Sequence, residues 1–186
     1  MLHFLKCILQ LILSPRNGWE DISLDDDRRR YPTAASYYLF IGITSLSWLV
    51  QWAYHPVYFK AVKVIELVIV TYAIFFVCYF VGTFVMSVAL ETLVKQGIEI
   101  DEHRTRTFTL YSLALLAIVL LLGLLLPAST PILWFLPLYV LVIMWKGARY
   151  LRIAKDKVGW FVTTALLGIL MPPMLLGLLS KSLLLQ

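Results

Sequence analysis

The sequence has few charged residues, two cysteines and three scattered histidines. Charged residues make up 15% of the chain, against about 25% in ordinary soluble proteins. Cys78 lies inside an apolar run far from Cys7, so a disulfide between them is not expected. No Cys-x-x-Cys pair occurs, and the histidines (His3, His55 and His103) have no metal-ligand spacing. The sequence therefore predicts neither a metal nor another cofactor.

Motifs of catalysis are absent as well. HExxH, GxSxG, Walker A and GxGxxG patterns do not occur. No group of His, Cys and Asp falls within one apolar run. The sequence therefore predicts a protein that is not an enzyme.

Apolar residues make up most of the chain. They are 61% of the chain, and the mean hydropathy is +0.84. No charged residue occurs between Arg106 and Lys146. A helix rises about 1.5 Å per residue, so about 20 residues cross a hydrocarbon core of about 30 Å. This stretch is long enough for two crossings joined by a turn at 127–131. It indicates an all-α integral membrane protein.

Apolar runs of this kind predict a bundle of five transmembrane helices within residues 34–181. Residues 1–33 precede the bundle, and a short tail, 182–186, follows it. The predicted spans are 34–54, 62–90, 107–126, 132–150 and 158–179.

The first 13 residues predict an amphipathic helix that lies in the membrane interface. Apolar positions recur at i, i+3, i+4 and i+7, and Pro15 ends the run before it could span a bilayer. Lys6 interrupts the run and no cleavage site follows, which argues against a signal peptide. A helix packed on the bundle is the open alternative. Residues 14–22 are predicted to form a turn-rich link with an interfacial Trp19.

The distribution of basic residues predicts the topology. A polar block of three aspartates and three arginines precedes the first span, and its arginines (Arg28, Arg29 and Arg30) are expected at headgroup level. Thirteen of the 16 Lys and Arg residues fall on one side of the predicted bundle. The positive-inside rule makes that side cytoplasmic, with the N-terminus inside and the C-terminus outside.

The net charge of +5 could suggest nucleic-acid binding, but the basic residues lie in short loops between apolar runs. Nucleic acid is therefore not a predicted partner. Membrane lipids are the predicted partners. A protein partner in the cytoplasm or membrane stays open, as does a homo-oligomer.

Lys63 and Glu66 form the one ionisable pair near a span. An ionisable residue within a span is a functional hypothesis by default. Glu66 lies about one turn inside span 62–90 and three residues after Lys63. The sequence favours a headgroup-level pair. A role in proton or solute coupling is the alternative.

Prolines inside the predicted spans indicate helix kinks. Pro137 falls within span 132–150, and Pro172 and Pro173 fall within span 158–179. Each proline removes a backbone donor. Broken helices bind substrate in some transporters, but no polar cluster accompanies these prolines. Kinks satisfied by neighbouring helices are favoured.

With these features assembled, the chain resembles the Yip-domain membrane proteins. The resemblance is carried by the amphipathic start, Pro15-x-x-x-Trp19-x-x-Ile22 and the five spans. Two short motifs add to it, one with Tyr111-Ser112 at the third span and one with Trp145-Lys146-Gly147 at the end of the fourth. The family often has a proline soon after the Tyr-Ser pair, where this chain has Ala114-Leu115.

The resemblance implies a multipass membrane scaffold or membrane-organising protein without enzymatic activity. The compact size is similar to that of a bacterial member, which implies the bacterial cytoplasmic (inner) membrane. A transporter of a small solute, an ion or a lipid, with a site near Glu66, is the alternative function.

Overall fold

The computed structural model describes residues 1–27, 34–54, 60–93, 101–126 and 135–184. Within these ranges most residues lie in helices. The helices are, in chain order, α1 (Leu2–Leu13), α2 (Pro15–Asp27), α3 (Ala34–Leu46), α4 (Trp48–Tyr54), α5 (Ala61–Leu93), α6 (Glu102–Leu125), α7 (Leu136–Lys146), α8 (Val158–Ala165) and α9 (Met171–Leu184). The predicted all-helical architecture is confirmed for this part of the chain.

Among the described residues, three helical segments are long and apolar enough to cross a membrane: Ala61–Leu93, Glu102–Leu125 and Lys155–Leu183. Helix α6 is the central one, because 61% of its most apolar window is buried inside the protein, against 28% for each of the other two. Helix α5 packs against α6 and also against α3, α8 and α9. The chain thus has several helices suited to a membrane, and the count of five stays a prediction.

The first predicted span, 34–54, is two helices that meet at Ser47. Three hydroxyl groups near this break bond to backbone carbonyls of the preceding turn. Thr44 Oγ1 donates to Phe40 O and Ser45 Oγ to Ile41 O, while Ser47 Oγ donates to Thr44 O. Such bonds compete with the helical ladder and bend helices. They explain why an apolar run long enough for one span is interrupted.

Helix α6 begins earlier than the sequence predicts, at Glu102 rather than near Thr107. Asp101 caps it, since its side chain accepts hydrogen bonds from the backbone N–H groups of His103 and Arg104. An aspartate in this position satisfies donors that have no intrahelical partner. The polar first turn therefore belongs to the helix.

The prolines of the predicted spans occupy two kinds of position in the helices. Pro172 and Pro173 follow a π-helical turn (Leu166–Leu170), a usual means by which a helix accommodates a disturbed hydrogen-bond ladder. Pro137 lies in the first turn of α7, where its missing N–H costs no intrahelical bond. Within the described residues Pro137 therefore lies at the start of a helix and does not kink one; residues 132–134 lie outside them, so the predicted kink within span 132–150 stays a prediction. The predicted turn at 127–131 lies outside the described residues.

The bundle has two chemically different ends. One, called the charged end below, contains α1, α2, the start of α6 and the 147–157 connection. Ala154 N donates to Leu93 O (3.2 Å), which ties that connection to the last residue of α5. At the opposite end, Gln51 Nε2 donates to Leu124 O (2.8 Å) and joins α4 to α6. Among the described charged residues, those near this opposite end are Lys60, Lys63, Glu66 and Lys181.

Residues 15–27 form helix α2, so the prediction of a turn-rich link at 14–22 is wrong. Ser14 ends α1 in an extended conformation, and Pro15 is the first residue of α2. Proline suits this position because its fixed φ is already helical. Helices α1 and α2 pack side by side as a hairpin. We call residues 2–27 the N-terminal hairpin.

Candidate functional site

The N-terminal hairpin docks on the bundle through Trp19. This side chain is 2% exposed, and its Nε1 donates to Ile143 O in the last turns of α7 (2.9 Å). Its ring stacks on Phe108 and on Tyr150, with both centroid distances 5.2 Å. Tyr111 meets it edge-on at 6.4 Å. Trp19 therefore lies inside the protein, and the predicted lipid-interface position is corrected to a protein interior.

We call Trp19, Phe108, Tyr111 and Tyr150 the Trp19 cluster. Its members come from α2, α6 and the turn after α7, so it joins three parts of the chain that are distant in sequence. Aromatic pairs of this kind contribute about 0.5–1.5 kcal/mol each beyond the area they bury. The Trp19 cluster therefore holds the hairpin in one position on the bundle.

Two glycines permit the close approach of these elements. A Cβ on Gly18 would lie 2.9 Å from both Cα and N of Leu11, so α1 and α2 touch backbone to backbone there. A Cβ on Gly147 would lie 2.6 Å from Cε2 of Phe108. A side chain at Gly18 would push α1 away from α2, and one at Gly147 would displace the Phe108 ring of the Trp19 cluster.

Helix α1 adds further contacts to this docking. Phe4, Cys7, Ile8 and Leu11 are buried, and they occupy one face at i, i+3, i+4 and i+7. Phe4 stacks on Tyr111 at 5.4 Å. Tyr139 Oη donates to Ile12 O (2.6 Å), which links α7 to α1. One face of α1 is thus packed on protein, as the alternative to a purely interfacial helix predicted.

The other face of α1 is also apolar. Leu2, Leu5, Leu9 and Leu13 are exposed and follow one another at helical spacing on the side away from the bundle. Lys6 is exposed too. A helix with one apolar face on protein and another exposed can lie against lipid without leaving the bundle. Interfacial placement of α1 stays a prediction.

Arg104 closes the Trp19 cluster toward the surface. Its Nη1 donates to Tyr150 O (3.2 Å), and its guanidinium lies 5.5 Å from the centre of the Tyr150 ring. Its Nε is 3.5 Å from Asp101 Oδ2. The arginine therefore connects the cap of α6 to the turn after α7.

The structure brings together some of the residues of the predicted motifs and separates others. Tyr111 belongs to the Trp19 cluster, and Gly147 contacts its Phe108. Ser112 is buried one residue further along α6, and its Oγ has no hydrogen-bond partner within the described part of the chain. Trp145 is about half exposed, with Lys146 Nζ 4.6 Å from its ring centre. Arg28, Arg29 and Arg30 lie outside the described residues.

Sequence reasoning missed the role of Trp19, although signals existed. Ser14-Pro15 is a typical helix start, and glycine directly before a tryptophan inside a helix indicates close packing. The histidines were also judged too scattered to bind a metal. The hairpin brings the side chains of His3, Cys7 and Asp25 together, with one potential ligand atom of each within 4.8 Å of the others.

Lys63 and Glu66 pair loosely at the opposite end. Lys63 Nζ is 3.8 Å from Glu66 Oε2, and both side chains are 42% exposed. Glu66 Oε2 accepts no hydrogen bond from any described residue. Exposed pairs of this kind contribute at most about 1 kcal/mol. The pair therefore lies at the protein surface, although the Oε2 atom of Glu66 is itself buried.

An apolar cavity of about 340 Å³ lies between α4, α5, α6, α7 and α9 near the opposite end. Trp48, Thr71, Gly123, Pro137 and Pro173 are among its lining residues. Lys181 is the one charged residue among the described residues that line it. Its polar groups are partly used within the protein, since Trp48 Nε1 donates to Thr71 Oγ1 (2.9 Å). Glu66 does not line it.

The sequence model of the Yip1 domain matches residues 9–178, which is nearly the whole chain. The chain belongs to the Yip1 domain family. The predicted family is therefore confirmed, and the chain is a multi-pass membrane protein. Searches of curated proteins and of solved structures gave no match. In this Yip1-domain protein the matched region includes most of the N-terminal hairpin, so docking through Trp19 lies within the family domain.

Proposed function

We propose that this Yip1-domain protein is a non-enzymatic membrane scaffold that recruits a partner at its charged end. The fixed position of the N-terminal hairpin carries this proposal. Trp19 holds the hairpin against α6 and α7. Its side chain is 2% exposed and donates a hydrogen bond to Ile143 O. A preordered surface loses less conformational entropy on binding than a mobile one.

The charges of this surface suit a protein partner. Arg16 and Glu20 pair on the outer side of α2 (3.2 Å), and Arg106 and Glu102 pair on the first turns of α6 (3.1 Å). Both signs are thus displayed on neighbouring helices, as electrostatic complementarity to a partner requires. A surface of one sign would instead favour anionic lipid.

We further propose that five spans place the charged end in the cytoplasm, in the inner membrane of a bacterium. Helices α3 and α4 together would form the first span, and α7 would belong to the fourth. The exposed leucines of α1 would lie against lipid. The excess of Lys and Arg at the charged end supports this orientation.

Topology is tested by accessibility. We expect a tag after residue 186 to be labelled only from the non-cytoplasmic side of intact cells. A tag inserted in the exposed turn at Lys155 should be labelled only after the cytoplasm is opened. Labelling of both tags from the same side would contradict the odd number of spans.

The scaffold is tested by photo-crosslinking in intact cells from exposed positions. A photoreactive residue at Arg16 or Arg149 should capture a protein partner. The matched positions Tyr54 and Lys60, exposed at the opposite end, should capture lipid alone. Higher salt should lower the rate of association with the captured partner in vitro. Capture of lipid alone at Arg16 and Arg149, or of protein only at Tyr54 and Lys60, would contradict the proposal.

Transport near Glu66 is the second candidate, because Glu66 Oε2 has no hydrogen-bond partner among the described residues. If the protein is a scaffold, we expect Glu66→Gln to change the free energy of unfolding by at most about 1 kcal/mol, because exposed ion pairs contribute no more than that. Lys63→Gln, the matched control, should have an effect of similar size. Denaturant unfolding in detergent measures both. A proton or solute flux in proteoliposomes that Glu66→Gln abolishes would favour the transporter.

A further inference from the structure

The open end of the N-terminal hairpin groups three side chains with the chemistry of zinc ligands. His3 and Cys7 are four residues apart and so lie on one face of α1. Asp25 reaches them from α2, near the end of that helix. Each ligand atom lies within 4.8 Å of the other two. The chain brings the first and last turns of the hairpin together at this point.

The separations are close to those around a tetrahedral ion. Cys7 Sγ is 3.7 Å from His3 Nδ1, and His3 Nε2 is 3.1 Å from Asp25 Oδ2. Zinc bonds of about 2.0 Å to nitrogen or oxygen and about 2.3 Å to sulfur place neighbouring ligands about 3.3–3.7 Å apart. The two contacts use different ring nitrogens of His3, so one ion would require this side chain, which is 53% exposed, to rotate until a single nitrogen faces both other ligands.

The surroundings provide an outer shell. Tyr111 hydrogen-bonds to the Cys7 side chain, and a donor to a metal-bound sulfur orients that ligand. Asp21, one turn before Asp25, accepts a hydrogen bond from Gln10 Nε2 and holds α1 to α2 between the turn and the open end. Exposure of His3 leaves a path for an ion and for a water molecule as fourth ligand.

We propose that His3, Cys7 and Asp25 bind one zinc ion that fastens the open end of the N-terminal hairpin. A set of one sulfur, one nitrogen and one oxygen ligand suits zinc and other late first-row ions, whereas magnesium and calcium prefer oxygen alone. Binding releases the thiol proton of Cys7, since the thiolate is the ligand. No redox change is involved.

Cobalt(II) is the spectroscopic probe for this site. The full chain, purified in detergent without a histidine tag and freed of metal, should bind one Co²⁺ per chain. Binding should give a thiolate-to-cobalt absorption band in the near ultraviolet and intense visible bands typical of tetrahedral coordination. Addition of one equivalent of Zn²⁺ should displace the Co²⁺ and remove both the near-ultraviolet band and the visible bands.

Variants assign the ligands. Cys7→Ser should abolish the near-ultraviolet band, and the control Cys78→Ser, at the other buried cysteine, should retain it. His3→Gln and Asp25→Asn should each weaken Co²⁺ binding by at least about tenfold, the smallest loss seen even for outer-shell partners. Circular dichroism should give the same helix content for each variant.

Any of three results would overturn the proposal. The first is the absence of stoichiometric Co²⁺ binding by the wild-type chain. The second is a band that survives Cys7→Ser or disappears in Cys78→Ser. The third is wild-type affinity in both His3→Gln and Asp25→Asn, which change side chains that are not fully buried (53% and 20% exposed) and so test the site even if Cys7→Ser misfolds.

Discussion

Replacement of Trp19 by alanine should lower the free energy of unfolding by about 3–5 kcal/mol, the usual cost of removing a large buried aromatic side chain. The substitution removes the stacking on Phe108 and Tyr150 and the hydrogen bond to Ile143 O. Denaturant unfolding in detergent, followed by circular dichroism, measures the change. Trp19→Phe should lie between wild type and alanine, because it keeps one aromatic ring but loses the donor and part of the stacking area.

The control for this prediction is Trp160→Ala. Trp160 is on α8 and is 71% exposed, so its removal should change the free energy of unfolding by about 0.5 kcal/mol or less. Equal effects of Trp19→Ala and Trp160→Ala would contradict the burial of Trp19. Equal effects would be expected if both tryptophans lay in an aromatic belt at the membrane surface.

Gly18→Ala should destabilise the protein by about 1–3 kcal/mol, the usual cost of overpacking. The added Cβ would lie 2.9 Å from backbone atoms of Leu11, which no rotation of a side chain can relieve. The same change gains up to about 1 kcal/mol of helix propensity, so the net effect measures the contact between α1 and α2. Unfolding in detergent is again the measurement.

Gly159→Ala is the matched control for Gly18→Ala. Apart from the backbone of its own helix and its chain neighbours, no atom of the described residues lies within 4 Å of a Cβ built on Gly159 in α8. This change should therefore be neutral or stabilising by up to about 1 kcal/mol. Opposite signs at the two glycines are expected. Stabilisation at both would show that α1 and α2 do not approach as closely as described.

The long helices could be predicted from the sequence because the length of a charge-free apolar run decides them. A charge-free apolar run of sufficient length has no favourable place in water, and α5 and α6 follow from it within a few residues. Boundaries depend on single polar side chains and were less accurate. Asp101 extends α6 by capping it, whereas Thr44, Ser45 and Ser47 interrupt the run that became α3 and α4.

The candidate site could not be predicted because it depends on contacts between distant residues. The glycine before Trp19 indicates close packing, but the sequence does not show which residues the tryptophan packs against. Only the position of α6 and α7 places Ile143 O within reach of Trp19. In the same way, the i, i+4 spacing of His3 and Cys7 is visible in the sequence, but the approach of Asp25 requires the hairpin.

Hydrogen exchange in α2 tests most directly whether the N-terminal hairpin is a fixed part of the bundle. The measurement compares backbone amides of residues 15–27 in wild type and Trp19→Ala, in lipid nanodiscs, with α5 as internal reference. We expect slow exchange of α2 in wild type and exchange faster by on the order of 100-fold in Trp19→Ala, a larger change than that of α5. Exchange of α2 at the rate of a free peptide in wild type, or equal rates in the two proteins, would contradict this expectation.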